Sequence, residues 1–148
     1  TYPNILGLSF SGVVESVGPG VEKFSKGDNV AVARPHGKAM IQDWVFPVDA
    51  LACAENTSKL PSSEFLESGA KVVLNLATVT AACSHFLGLE RPGLDKPKSQ
   101  RGERILVYGG SSSCGGLAIR YAAAAGYEVV TTSSPKNREY VNSLGPVA

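Results

Sequence analysis

The stretch from Ile105 to Thr132 restricts the fold of this chain more than any other. Ile105-Leu106-Val107-Tyr108 is a short apolar strand, of the kind buried on both faces of a parallel sheet. It runs directly into Gly109-Gly110-Ser111-Ser112-Ser113-Cys114-Gly115-Gly116. Leu117 to Ala125 follows as a helix of strong helix formers, and Gly126 stands where a C′ glycine belongs. Tyr127-Glu128-Val129-Val130-Thr131-Thr132 is a second strand. Ser133-Ser134-Pro135-Lys136-Asn137 makes a turn, and another helix begins at Pro135 or Lys136 and heads toward Leu144. A β-α-β unit of this kind predicts an α/β domain built on a parallel sheet.

The Gly/Ser loop carries the chemistry. A strand that ends in glycines and opens straight into a helix is the layout of a dinucleotide site. Small residues let the backbone approach a diphosphate, and the helix N-terminus faces the negative charge with N–H groups and a positive dipole end. The spacing is Gly109-x-x-Ser112-x-x-Gly115 rather than G-x-G-x-x-G, so its position between strand and helix carries more weight than the pattern itself. A Walker A loop is excluded, because no Gly-Lys-Ser/Thr follows. An NAD site places an acid near the end of the second strand, where it binds the ribose hydroxyls. Thr131-Thr132-Ser133-Ser134 holds none, and Glu128 comes too early. Ser133, Lys136 and Arg138 offer hydroxyl and cationic groups suited to a 2′-phosphate, so the expected cofactor is NADPH.

Residues 1–55 read differently, as short strands punctuated by Gly and Pro, which predicts an antiparallel barrel or sandwich. Phe10-Ser11-Gly12-Val13-Val14-Glu15-Ser16-Val17 is one strand, ended by Gly18-Pro19-Gly20. Lys26-Gly27-Asp28 is a turn before the strand Asn29-Val30-Ala31-Val32-Ala33. Trp44-Val45-Phe46-Pro47-Val48 is a third, at a sheet edge or strand end because of Pro47, and residues 50–54 are a short fourth. Residues 62–88 read as helix, capped by Ser62 or Ser63 and stopped at Gly88. Residues 89–104 form a polar connector that reads as a solvated linker.

A net charge of +1 gives no general pull toward nucleic acid or an anionic membrane, and no apolar run approaches a membrane span. Cys53, Cys83 and Cys114 form no C-x-x-C and no disulfide framework. They read as reduced thiols of a cytoplasmic protein. His36 is expected in a loop and His85 on a helix flank, neither with metal-ligand partners at short spacing.

Taken in order, several motifs resemble one family. They are Pro3-Asn4-Ile5-Leu6-Gly7 before Phe10-Ser11-Gly12-Val13-Val14; Val17-Gly18-Pro19-Gly20-Val21; Lys26-Gly27-Asp28-Asn29-Val30; Ala77-Thr78-Val79-Thr80-Ala81; and Leu106-Val107-Tyr108-Gly109-Gly110-Ser111-Ser112. The chain resembles the medium-chain dehydrogenase/reductase superfamily, on its zinc-independent, quinone-oxidoreductase-like side. Gly109 to Ser113 followed by Thr131-Thr132-Ser133-Ser134-Pro135-Lys136-Asn137 is similar to fungal trans-acting enoyl reductases of polyketide pathways. The resemblance implies a GroES-like substrate domain with its connecting helix over 1–90, a linker over 91–103, and the start of a Rossmann domain over 104–148. It implies that Gly110, Ser111, Ser112, Ser113, Cys114 and Gly115 hold the diphosphate of NADPH. Ser133 and Lys136 match the 2′-phosphate region, and Thr80 the helix threonine beside the nicotinamide. Zinc-dependent relatives carry Gly-His-Glu where this chain has Gly7-Leu8-Ser9, so no metal is expected.

The expected activity is reduction of an activated C=C bond, in a small-molecule or carrier-bound enoyl substrate. A homo-oligomer or a polyketide synthase is the expected partner, with no nucleic acid and no membrane. The alternative is a non-catalytic dinucleotide-binding or partner-binding module on the same fold. No residue stands out as acid or base, since Tyr121 and Tyr127 lie in core patterning. A full Rossmann sheet needs about six strands, so this stretch is expected to be part of a longer protein and not to transfer hydride by itself.

Overall fold

A computed structural model describes residues 8–33, 50–93 and 95–147 of the 148-residue chain. The chain forms two compact units, Thr1–Leu74 and Asn75–Ala148. The expected strand Trp44–Val48, the Pro3–Gly7 motif and His36 lie outside the described residues.

The first unit holds a three-stranded antiparallel sheet, β1 (Ser9–Val13), β2 (Asn29–Ala33) and β3 (Thr57–Lys59), with β2 in the middle. The register sets Phe10 opposite Val32, Gly12 opposite Val30, and Val32 opposite Thr57. Alternation sends Val30 and Val32 to one face, where they bury with Phe24 and are flanked by Phe10, Val14, Val21 and Ala54. β1 is shorter than the run Phe10–Val17. Val14 still exchanges backbone hydrogen bonds with the turn, donating to Asp28 and accepting from Gly27. Beyond it no strand among the described residues pairs with Glu15 to Val17, because the partner chain has already turned at Gly27 (φ +92°).

The fourth strand expected over 50–54 is not there. Residues 50–53 are irregular, Ala54–Asn56 is a single 3-10 turn, and the strand comes later, at Thr57–Lys59. Ala- and Leu-rich 50–54 has no β-branched residue, whereas Thr57 is β-branched and buried. Its hydroxyl donates to the Cys53 carbonyl at 2.8 Å.

The helix expected over 62–88 is a composite. A 3-10 turn, Ser63–Phe65, leads into α1 (Leu66–Thr80), and a π-helical turn, Ala81–Phe86, completes it before Gly88. Ser62 takes the N-cap position with extended backbone, but its side chain makes no capping bond. The first half of α1 belongs to the first unit. Ser9 and Ser11 donate to the carbonyls of Ala70 and Leu66, and Gly69 lies against Leu60 and Ala31.

The second unit has a parallel pair, β4 (Arg104–Val107) and β5 (Glu128–Thr131), joined by α2 (Ser113–Ala124), with the short α3 (Arg138–Asn142) after a 3-10 turn at Pro135–Asn137. Val147 forms a parallel bridge to Val129, which puts the next strand on the far side of β5. That is the order in which a doubly wound sheet grows outward from its first strand. Ile119, Ala122, Ala125, Tyr127, Val129, Val141 and Leu144 form the core, with Ile105 and Val107 packed on it. β4 is not buried on both faces as expected. Ile105 and Val107 turn toward α2, while Leu106 on the opposite face is 66% exposed, because no described element covers that side.

The connector is solvent-exposed, as expected, but its backbone is tied to the second unit at two points. Lys98 and Arg101 donate their backbone N–H groups to the carbonyls of Ala124 and Gly126, each at 2.9 Å. Those carbonyls follow the last turn of α2, where intrahelical donors run out. The Glu90 N–H donates to the Tyr127 hydroxyl, and the Arg101 guanidinium lies 5.3 Å from the Tyr127 ring centroid. Gly126 (φ +92°) is the C′ residue expected from the sequence, and any Cβ there would meet the Ser99 carbonyl oxygen at 2.3 Å. No helix among the described residues is long and apolar enough to cross a membrane.

Candidate functional site

The strand-to-helix turn of the second unit is built from backbone and hydroxyl groups. Gly109 (φ +78°) turns the chain off β4. The Gly109 amide donates to the Thr132 hydroxyl at 3.0 Å, and the Gly110 amide donates to the Thr132 carbonyl at 2.9 Å. Thr131 adds a hydroxyl bond to the Val107 carbonyl at 2.7 Å. The end of β5 therefore holds the start of the loop against the sheet.

Helix α2 starts at Ser113, four residues before the expected Leu117, because Ser112 is an effective N-cap. Its Oγ accepts from the Gly115 amide at 3.0 Å and donates to the Gly109 carbonyl at 2.9 Å. Gly115 and Gly116 are thereby inside the first turn, buried. A Cβ on Gly115 would lie 2.3 Å from the Gly109 oxygen, and one on Gly110 would lie 2.3 Å from Thr131 Oγ1. Both glycines are there for close approach of chain to chain.

These bonds divide the site residues. Ser112 spends its donor and an acceptor on the loop itself. The amides of Ser113 and Cys114 donate to no acceptor among the described residues, and the side chains of both residues are exposed. Space is open beside Gly109, where a Cβ would meet nothing within 4 Å. Free amides at a helix N-terminus, an exposed hydroxyl and an unobstructed glycine backbone fit a diphosphate.

Ser133 and Lys136 follow β5 in an exposed turn, with no hydrogen-bonded or ionic partner among the described residues. Ser134, in contrast, accepts from the Asn137 side chain and amide through its hydroxyl and carbonyl. Glu128 stands at the opposite end of β5, roughly 16 Å from Ser133 at the rise of a strand, and pairs with Arg104 at 2.9 Å. Lys136 lies in this turn and Arg138 opens α3, with Glu139 next to it, while Thr131 to Ser134 hold no carboxylate. Thr80 is half-buried at the last position of α1, one residue beyond buried Val79.

Asn75 on α1 was not among the residues expected at the site. Its Nδ2 donates to Ser113 Oγ at 2.7 Å, and the Cys114 thiol donates to its Oδ1 at 3.4 Å. The available signal is compositional: Asn75 is the one amide in the apolar run Val72-Val73-Leu74-Asn75-Leu76-Ala77. Nearby Cys83 is buried with Val79 and Tyr121, and burial pushes its thiol pKa up. Tyr121 and Tyr127 are core residues, as expected, with hydroxyls bonded to Ser84 and Glu90. Tyr108 is exposed at the end of β4.

In the first unit, Leu8 carries an aliphatic side chain, and the Ser9 hydroxyl is committed to Ala70 at 2.9 Å. Among the described residues no cluster of His, Cys, Asp and Glu is arranged to hold a metal ion.

Residues 1–43 match the alcohol dehydrogenase GroES-like domain. A dehydrogenase from Aspergillus niger is 36% identical across the whole chain, which covers 43% of that protein. A trans-enoyl reductase from Trichoderma harzianum is 38% identical over 97% of the chain and 41% of its own length. A mycobacterial protein solved in complex with NADPH superposes with a TM-score of 0.69 at 25% identity, over 99% of this chain and 43% of that one. The chain thus spans about two fifths of the length of the relatives it matches. With a GroES-like start, a parallel β-α-β unit after it and relatives aligned along both, the chain is similar along its length to the medium-chain dehydrogenase/reductase superfamily.

Proposed function

We propose that this chain belongs to an NADPH-dependent, zinc-independent oxidoreductase that reduces an activated C=C bond. The observation that carries the reading is the turn at Gly109–Gly115, which leaves two helix-start amides free and the Ser113 hydroxyl exposed, beside an open glycine backbone. Ser111, Ser113 and the amides of Ser113 and Cys114 would hold the diphosphate, with Ser112 fixing the shape of the loop and Gly110 and Gly115 letting the chain fold this tightly around it. Ser133 and Lys136 would hold the 2′-phosphate, and Thr80 would lie on the nicotinamide side. When bound, NADPH supplies the hydride. The fold's part is to position donor and acceptor and to polarise the acceptor carbonyl.

Several lines support the finer points. The relatives include a trans-enoyl reductase, and one neighbour was solved with NADPH. The absence of an acid at the strand end, Thr131 to Ser134, favours a 2′-phosphate over a free ribose diol. Leu8 has no metal-binding atom, and Ser9 is already hydrogen-bonded, which favours metal-free chemistry. On this reading residues 1–90 serve the substrate, 91–103 link, and 104–148 begin the cofactor domain. The substrate is an enoyl group, free or carrier-bound, and the partner is a polyketide synthase or a second copy of the protein.

The test is a pair of steady-state titrations on the full-length protein with an enoyl thioester, one with NADPH and one with NADH. NADPH is the preferred cofactor. A charge-assisted contact is worth about 1.5–3 kcal/mol, so Lys136→Ala raises the KM for NADPH about tenfold or more and leaves that for NADH nearly unchanged. Equal losses with both cofactors would return Lys136 to a structural role. A tightly bound equivalent of zinc, measured by elemental analysis, would overturn the metal-free reading.

A further inference from the structure

From the two bonds made by Asn75, we infer that this residue is a positioning residue for the diphosphate loop: it accepts the Cys114 thiol proton and donates to the Ser113 oxygen, leaving the Ser113 proton to face the cofactor. The inference rests on the cofactor reading above and assigns a role to a residue outside the loop itself.

A serine hydroxyl has one proton and can direct it to only one acceptor. Ser112 has spent its proton on the Gly109 carbonyl. Ser113 sits next to it with the same side chain, and its fate depends on Asn75. Because Asn75 Nδ2 donates to Ser113 Oγ at 2.7 Å, the Ser113 oxygen is the acceptor in that bond and its own proton is released for another partner. Ser113 is exposed at the first position of α2, so that partner comes from the ligand side. The orientation of the amide is set by its other end. Oδ1 takes the proton of Cys114, a group that offers a donor and only a weak acceptor. One amide therefore reads two consecutive residues and fixes the proton of each.

Asparagine is suited to this and aspartate is not. A carboxylate at the same place accepts from both Ser113 and Cys114. It would turn the hydroxyl proton away from the phosphate and set a negative charge beside an anionic ligand. Alanine removes both bonds and leaves the hydroxyl free to rotate.

The diphosphate is common to NADPH and NADH, so the effect of Asn75 is blind to the 2′-phosphate, unlike that of Lys136. The experiment is a double-mutant cycle on the full-length protein, read as the Kd of each cofactor by quenching of protein fluorescence, with melting temperatures recorded alongside. Asn75→Ala and Ser113→Ala each weaken NADPH and NADH alike, by about tenfold. The double variant is weakened by about the same factor as Ser113→Ala and not by the product, because Asn75 acts only through the Ser113 contact. Asn75→Asp, which keeps the size of the side chain should the alanine variant fold poorly, weakens both cofactors more than Asn75→Ala does. Losses that multiply in the double variant, an unchanged Kd for Asn75→Ala or a normal Kd for Asn75→Asp each overturn the positioning role while leaving the cofactor reading intact. Wild-type protein that binds neither cofactor overturns both.

Discussion

The two units use glycine for opposite reasons. In the first, Gly12 and Gly27 stand in open space, where a Cβ would meet nothing within 4 Å. Gly27 is required only because the turn before β2 takes a φ of +92°. In the second, a Cβ on Gly110, Gly115 or Gly126 would lie 2.3 Å from a neighbouring atom. Gly27 is therefore held to glycine by its dihedral angle, and Gly110 and Gly115 of the cofactor turn by contact. A loop built to bring backbone close to a ligand must first bring backbone close to itself.

The contrast is broken most directly at Gly115. The atom in the way is the Gly109 carbonyl oxygen, which already receives the amide and the hydroxyl of Ser112. It cannot move without undoing the cap. Gly115→Ala in the full-length protein is expected to cost roughly 3 kcal/mol, the upper range for overpacking a tight site. The checks are a thermal melt and cofactor affinity, and both should fall together. A Gly115→Ala protein that melts like wild type would mean the loop has slack, and the distinction between the units would fail.

Gly27 gives a smaller effect with a different cause. An alanine there has room but must adopt the left-handed region, at about 1–2 kcal/mol. Asn, which tolerates that region better, should recover part of the loss. Recovery by Gly27→Asn is the observation that separates dihedral strain from crowding, since Asn is the larger side chain.

The same turn carries a pH dependence. The Lys59 ammonium at 2.7 Å and the Ser25 amide at 2.8 Å hold the Asp28 carboxyl below the usual carboxylate range. Its folded pKa lies below its unfolded one, so the stabilisation is fully present above the unfolded value and is lost as pH falls through the folded one. Asp28→Asn should flatten the acid side of a melting-temperature profile, by a small amount because the pair is solvent-exposed. An unchanged acid limb would show that the pair contributes nothing measurable.

The legibility of the sequence follows the same division. The β2 strand, the parallel pair, Gly126 and the buried tyrosines follow from local signals: β-branched runs, a C′ glycine and apolar periodicity. The strand at Thr57–Lys59 did not, because only three residues pair there and the burial of Thr57 is decided by β2, distant in sequence. The start of α2 was placed late because two glycines read as loop, whereas the Ser112 cap draws them into the helix. The connector is solvated, as its polar side chains indicate, but it is also held through its backbone, which composition does not report. Asn75 stayed hidden for a related reason, since its partners are 38 and 39 residues away.

Gly12 gives the smallest effect and the sharpest contrast with Gly115. It lies inside β1, opposite Val30, with no atom near the position a Cβ would take and no positive φ. Glycine in a strand interior carries an entropic penalty, because the unfolded chain gains freedom that the strand must remove. Alanine removes part of that freedom without meeting a neighbour. Gly12→Ala is therefore expected to be neutral or to stabilise by up to about 1 kcal/mol, seen as an equal or higher melting temperature with cofactor affinity unchanged. The same chemical change, one added methyl, then has opposite signs in the two units. A clear loss of stability at Gly12 would mean that a packing partner lies over this face of the sheet. In that case the strand interior of the first unit would be constrained by contact too.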